Sequence, residues 1–152
     1  MEKFIPKDHI KVTLMIFTAM LGGLFVYAMV GLFVTYGKKQ PNNDIDTYLY
    51  IAVAAAFIAI IAGQLIAGSI IKNAMSKDFE TKLNAYRSAV LAKISLMEVA
   101  AIYSITMYII TANILLLVVA AVLVFLYRYT RPTPLRAAKL MKLSQKEAQQ
   151  LM

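Results

Sequence analysis

The chain has 152 residues, of which 61% are apolar and only 16% charged, against roughly half and a quarter in an ordinary soluble domain. Sixteen Lys and Arg face eight Asp and Glu, a net charge of +8, and there is no Cys, no Trp and a single His. Disulfide scaffolds, thiol nucleophiles, zinc knuckles and most metal or haem schemes are thereby excluded.

Uncharged runs cover residues 12–37, 47–71 and 99–127, which are 26, 25 and 29 residues long, and a bilayer-spanning helix needs about 20. The composition therefore reads as a polytopic integral membrane protein. The first run follows Lys3, Lys7 and Lys11, but it is longer than a signal-peptide core and no small-residue cleavage site follows, so it is expected to stay in the mature protein. A first span is predicted over about 8–36, after Pro6 and closed at Gly37, a residue type that favours the left-handed conformation ending a helix. Pro41, Asn42 and Asn43 then favour a turn, and the second span is predicted over 47–71.

The third run fits one tilted helix or a tight hairpin, and charge decides between them. Three basic residues lie near the N-terminus, and two in the first loop (Lys38, Lys39). Five separate the second and third runs (Lys72, Lys77, Lys82, Arg87, Lys93), and six follow the third (Arg128, Arg131, Arg136, Lys139, Lys142, Lys146). Cytoplasmic segments are enriched in such residues, so the N-terminus, the middle loop and the tail should share one side. An even number of spans follows. A turn at Thr111, Ala112 and Asn113 gives spans three and four over about 88–110 and 114–129. Lys93 can snorkel to the interface, whereas Glu98 stays in the membrane.

In span two, Ala55, Ala59, Gly63 and Ala67 recur every four residues, and span one has a shorter version in Ala19 and Gly23, with Gly31 further along. Such stripes let helices approach closely in lipid, so these are candidate packing positions. Span four is almost free of polar side chains, which assigns it to the lipid boundary. The polar exceptions are Gln64 and Glu98. Gln64 lies eight residues before Lys72 and Glu98 eleven after Arg87, about 12 and 16 Å along their helices. Each is a candidate partner for the other at similar depth, with Ser95 and Thr106 completing a polar seam. An ionisable group in the membrane is a functional-site hypothesis by default. Two readings stay open: a neutral, hydrogen-bonded packing element, or a group that handles a proton or cation.

Other signals are weaker. Asn42, Asn43, Asp44 and Asp46 lack the glycine and terminal glutamate of a calcium loop, and His9 reads as an interfacial residue. Tyr27, Tyr36, Tyr48, Tyr50, Tyr127 and Tyr129 read as an aromatic belt near span ends. Met75, Phe79, Leu83 and Tyr86 recur at helical spacing among charges, predicting an amphipathic helix N-capped by Ser76 and running into span three. Pro132 and Pro134 end span four, and Ser144 and Glu147 have the capping-box spacing of a short last helix. These segments form a basic cytoplasmic face suited to anionic lipid head groups. Without interleaved aromatics they do not form a nucleic-acid surface.

The stretch Leu96-Met97-Glu98-Val99-Ala100-Ala101-Ile102-Tyr103, after a basic loop and a small-residue helix, resembles the carboxylate-bearing hairpin of the rotor-ring c subunit of F-type ATP synthases. That resemblance implies a proton-binding role for Glu98. It covers about a third of the chain, which lacks the repeated glycines and the RQP-type loop of that family. More of the chain, from Tyr86-Arg87-Ser88-Ala89 through Glu98 to Arg131-Pro132-Thr133 and Leu143-Ser144, is similar to an uncharacterised bacterial family of small four-helix integral membrane proteins. That likeness implies the topology and a bacterial inner membrane, and no activity.

The sequence thus predicts an all-α, four-span transmembrane helical bundle over residues 1–131 with amphipathic cytoplasmic extensions, and a cytoplasmic tail over 132–152. Both termini are cytoplasmic. The leading functional expectation is a non-enzymatic accessory or interaction subunit that associates with other membrane protein subunits or with copies of itself. The alternatives are proton or cation translocation through Glu98, or binding of a lipid or hydrophobic small molecule between helices. No cofactor or metal is called for.

Overall fold

The computed structural model describes residues 6–38 and 46–151, without the side chains of Lys7 and Asp46; Lys3, Lys39 and the turn at 41–45 lie outside them. Every regular element among the described residues is helical: α1 (Pro6–Thr35), α2 (Asp46–Ala74), α3 (Phe79–Thr111), α4 (Ile114–Tyr127), α5 (Pro134–Leu140) and α6 (Gln145–Gln149). Three stretches are long and apolar enough to cross a membrane: Asp8–Thr35, Thr47–Ala74 and Phe79–Thr111. A fourth candidate joins Ile114–Thr130 to Pro134–Leu140 across a bend of 76°. The chain is thus an all-helical protein that fits a membrane.

Local chemistry sets the helix ends. Gly37 follows α1 at φ +78°, where a side chain would be strained. The amphipathic segment and the third run form one helix, α3, but Ser76 does not cap it. The cap is Asp78, whose carboxylate accepts from the Thr81 backbone N–H at 3.1 Å and from the Thr81 hydroxyl at 2.7 Å. Two donors from one residue fix that carboxylate in place, and the helix starts there. At the far end Ala112 takes the left-handed conformation, φ 54°, and Asn113 caps α4 by accepting from the Leu115 N–H. The Ser144 cap is a complete capping box: Glu147 N–H donates to Ser144 Oγ, and Ser144 N–H donates to the Glu147 carboxylate at 2.7 Å.

α3 is the central helix. α2 packs along it most extensively, α1 and α4 pack on its other sides, and α2 and α4 touch only lightly. Pairings along the helices give their directions. Tyr27 meets Thr106 and Thr35 meets Tyr108, so α1 runs parallel to α3. Gly63 lies against Lys93, and Ala52 sits with Tyr108 and Leu116, so α2 and α4 run the other way. The central core holds Phe17, Leu24, Ile94, Met97, Ile105, Leu123 and Tyr127. A second cluster joins Ile10 of α1, Ala74 of α2, Leu83 and Tyr86 of α3, and Ala137, Met141 and Leu151 of the tail. It gathers the start of α1, the α2–α3 connection and the folded tail at one basic end of the molecule. α5, which the sequence reading lacks, is placed there by Pro134 in its first turn, by the Thr133 cap and by burial of Ala137.

Candidate functional site

The small-residue stripe of α2 faces α3. Ala59, Gly63 and Ala67 are buried and Ala55 half-buried. A Cβ on Gly63 would meet the Cα and Cγ of Lys93 at 3.3 Å, so the helices approach here more closely than a side chain would readily allow. Of the small residues of α1, Gly31 makes the close approach, against Ile105, Tyr108 and Ile109, while Ala19 and Gly23 face outward and a Cβ on Gly23 would meet nothing within 4 Å.

The predicted polar residues separate. Gln64 is exposed, Ser95 is exposed and Glu98 is half-buried. Among the described residues no hydrogen bond joins Glu98 to Gln64 or to Ser95. Thr106 is taken elsewhere: its hydroxyl donates to the Ile102 carbonyl at 2.8 Å, which leaves Tyr27 O–H as the donor in their 2.9 Å bond. Two tyrosines assigned to the belt therefore turn inward. Tyr27 links α1 to α3. Tyr127 is fully buried, donates to the Ile94 carbonyl at 3.1 Å and lies 6.0 Å from the Phe17 ring.

What Gln64 does share is a cavity of about 260 Å³ at the basic end, bounded by α2, α3, the turn after α4 and α5. Its polar lining includes Gln64, Lys93, Tyr129 and Arg136; its apolar lining includes Ala67, Ile71, Ala89, Val90 and Leu140. Lys93 comes from a helix whose neighbouring residues are apolar, and its stem lies on Gly63. Arg136 is brought by α5, and its Nη1 donates to the Tyr129 carbonyl at 2.6 Å and to the Arg131 carbonyl at 3.3 Å. These bonds hold the guanidinium at the end of α4, and its remaining donors have no hydrogen-bond partner among the described residues. Both cations line this one space. No carboxylate lines the cavity, and the one ion pair among the described residues, Lys11 with Asp8 at 3.8 Å, lies on α1.

A second cavity of about 290 Å³ is wholly apolar, lined by Val53, Ala56, Phe57 and Ile60 of α2 and by Val118, Val119, Val122, Leu123 and Leu126 of α4. Positions 53, 56, 57, 60, 64, 67, 68 and 71 are one face of α2, and 118–126 run on to Tyr129 and Thr130 beside the first cavity. The two spaces follow one another along this face of α2, a polar, cationic one against α3 and α5 and an apolar one against α4, and together we term them the α2–α4 groove, its mouth and its interior. From Gln64 to Val53 the apolar part extends eleven residues, about 16 Å of helix, or about half of a bilayer core some 30 Å thick. Glu98 lines neither part. Arg136 was missed as a site residue because only the return of α5 over α3 places it near Lys93.

Comparison with models of known protein families, with curated proteins and with solved structures finds no match in any of the three.

Proposed function

We propose that the protein is a non-enzymatic integral membrane protein of four spans that binds a lipid or hydrophobic small molecule between α2 and α4, in a bacterial inner membrane with both termini cytoplasmic. The observation that carries this reading is the α2–α4 groove, cationic at its mouth and apolar for one leaflet's depth, the profile of an amphiphile standing in a bilayer. The clustering of Ile10, Ala74, Leu83 and Ala137 supports the topology, because it sets α1's start, the α2–α3 connection and the tail on one side with most of the basic residues. α4 with its following turn, residues 114–130, is about 25 Å long; on this reading it crosses with local thinning of the bilayer, and α5 turns away along the interface. A second reading, an accessory subunit of a larger assembly, is favoured by the outward Gly22 and Gly23, where nothing lies within 4 Å of an added Cβ. That leaves α1 open to close approach by another helix.

Two measurements test the proposal. With no native Cys, cysteines placed at Lys38, Lys77 and Gln145 report sidedness: an impermeant thiol reagent applied outside should label only the first, and labelling at Gln145 would overturn the four-span topology. For the groove, Ala56→Phe fills its apolar part, whereas Ala28→Phe fills the separate groove between α1 and α4. Ala56→Phe should lose co-purifying lipid, measured by mass spectrometry of the intact protein, and Ala28→Phe should keep it. Equal lipid retention would remove the α2–α4 groove as the binding site.

A further inference from the structure

Lys93 and Arg136 reach the mouth of the α2–α4 groove from different elements, one from the middle of a long helix and one from a seven-residue helix folded back onto it. Both are costly placements. A lysine at the edge of an apolar span needs its ammonium solvated or paired, and two cations sharing one small space repel. Two backbone carbonyls accept from Arg136, but among the described residues no carboxylate lines the cavity and no ion pair involves either side chain. The exposed Gln64 and Tyr129 border the same mouth, and the Gln64 side chain carries a neutral donor.

An anion with several acceptor oxygens is the group that such a donor set completes, because charge-assisted hydrogen bonds from Arg and Lys to phosphate are short and strong. We propose that the mouth formed by Lys93, Arg136, Gln64 and Tyr129 is a phosphate site, and that its ligand is the head group of an anionic phospholipid whose acyl chain lies in the apolar part of the groove. This rests on the groove reading above and adds the chemistry of the head. The apolar continuation favours a lipid over a free phosphate, since inorganic phosphate uses only the mouth and leaves the 290 Å³ behind it unexplained.

The experiment separates the two levels. Purified full-length protein is delipidated and then offered phosphatidylglycerol or a diacylglycerol with identical acyl chains, and retention is measured by mass spectrometry of the intact protein. Phosphatidylglycerol should bind about 10–100-fold more tightly, the range expected for one charge-assisted hydrogen-bonded group. Lys93→Gln should erase that preference, Lys93→Arg should restore it, and Lys72→Gln, on α2 outside the cavity, should leave it unchanged. Equal retention of the two lipids would overturn the phosphate assignment while leaving the groove reading standing. Retention of neither would overturn the groove reading and this one with it. Displacement of phosphatidylglycerol by millimolar inorganic phosphate would replace the lipid with free phosphate as the ligand.

Discussion

Gly63 gives the most direct test of the packing, because its substitution can be compared with a glycine in the same kind of helix that touches nothing. Gly63→Ala and Gly23→Ala add the same methyl group within α2 and α1. Each gains a similar intrinsic helix preference, about 1 kcal/mol relative to glycine. That contribution cancels in the difference, and what remains is the contact. At Gly23 the new Cβ meets nothing within 4 Å; at Gly63 it meets Lys93 Cα and Cγ at 3.3 Å and the Lys93 carbonyl oxygen at 3.5 Å. Cγ can swing away, but Cα is backbone, so α2 must retreat from α3 by a few tenths of an ångström along its most extensive interface.

Overpacking of this kind costs about 1–3 kcal/mol. For a chain of this size a change of 1 kcal/mol moves the melting temperature by about 2–4 °C, so Gly63→Ala should melt about 2–12 °C below Gly23→Ala in the same detergent. Gly63→Leu should fall further. Superimposable melting curves for the two alanine variants, or a higher melting temperature for Gly63→Ala, would refute the close approach of α2 to α3 at Lys93.

Two further predictions concern the basic end. The Ser144 backbone N–H and hydroxyl hold the Glu147 carboxyl below its ordinary pKa of 4.5. A depressed folded-state pKa means that the stabilisation is present above 4.5 and lost as the pH falls through the folded value, so hydrogen exchange in residues 144–150, corrected for intrinsic rates, should speed up on acidification below pH 4.5. Glu147→Gln should show no such pH dependence, and identical profiles would refute the assignment. Met141 is fully buried against Leu83 and Tyr86, and Met141→Ala should weaken tail docking by about 2–5 kcal/mol. Limited proteolysis should then cut after α4 while α1–α4 survive, and unchanged tail resistance would refute docking through this cluster.

What the sequence made legible is what depends on neighbours in the chain. The uncharged runs, Gly37, the turn at 111–113 and the Ser144–Glu147 box are set within a few residues, and the helices end where those signals stand. What depends on the angular position of one helix against another was not legible. Gln64 and Glu98 have similar depth, yet depth does not set the face, and Gln64 opens onto the groove while Glu98 does not. The stripes behave alike for the same reason: Gly63 meets a backbone and Gly23 meets nothing, though both recur at four-residue spacing. Tyr127 closes an apolar run as a belt residue does, and only Phe17 and the Ile94 carbonyl across the interface pull it inside.

The groove and the stripe are consequences of one arrangement. A helix has a limited circumference, and Ala59 and Gly63 commit one face of α2 to α3, with Gly63 closer to Lys93 than a side chain would readily allow. α4 packs on α3 through Leu116, Ala120, Leu123 and Tyr127, so both helices are fixed to the same support rather than to each other. The branched and aromatic residues on their facing sides, Val53, Phe57, Val118 and Val122, then stand apart instead of interdigitating. In water such a gap would collapse, because exposed apolar surface is costly; in a bilayer an acyl chain fills it without that cost. The same absence of a side chain at Gly63 lets the Lys93 stem lie flat on α2 and carry its ammonium toward the mouth, where α5 delivers Arg136. Widening the α2–α3 spacing at Gly63 should therefore shift Lys93 and lower anionic-lipid retention together with stability, whereas Met141→Ala, which frees only α5, should lower retention and leave the melting of α1–α4 in place.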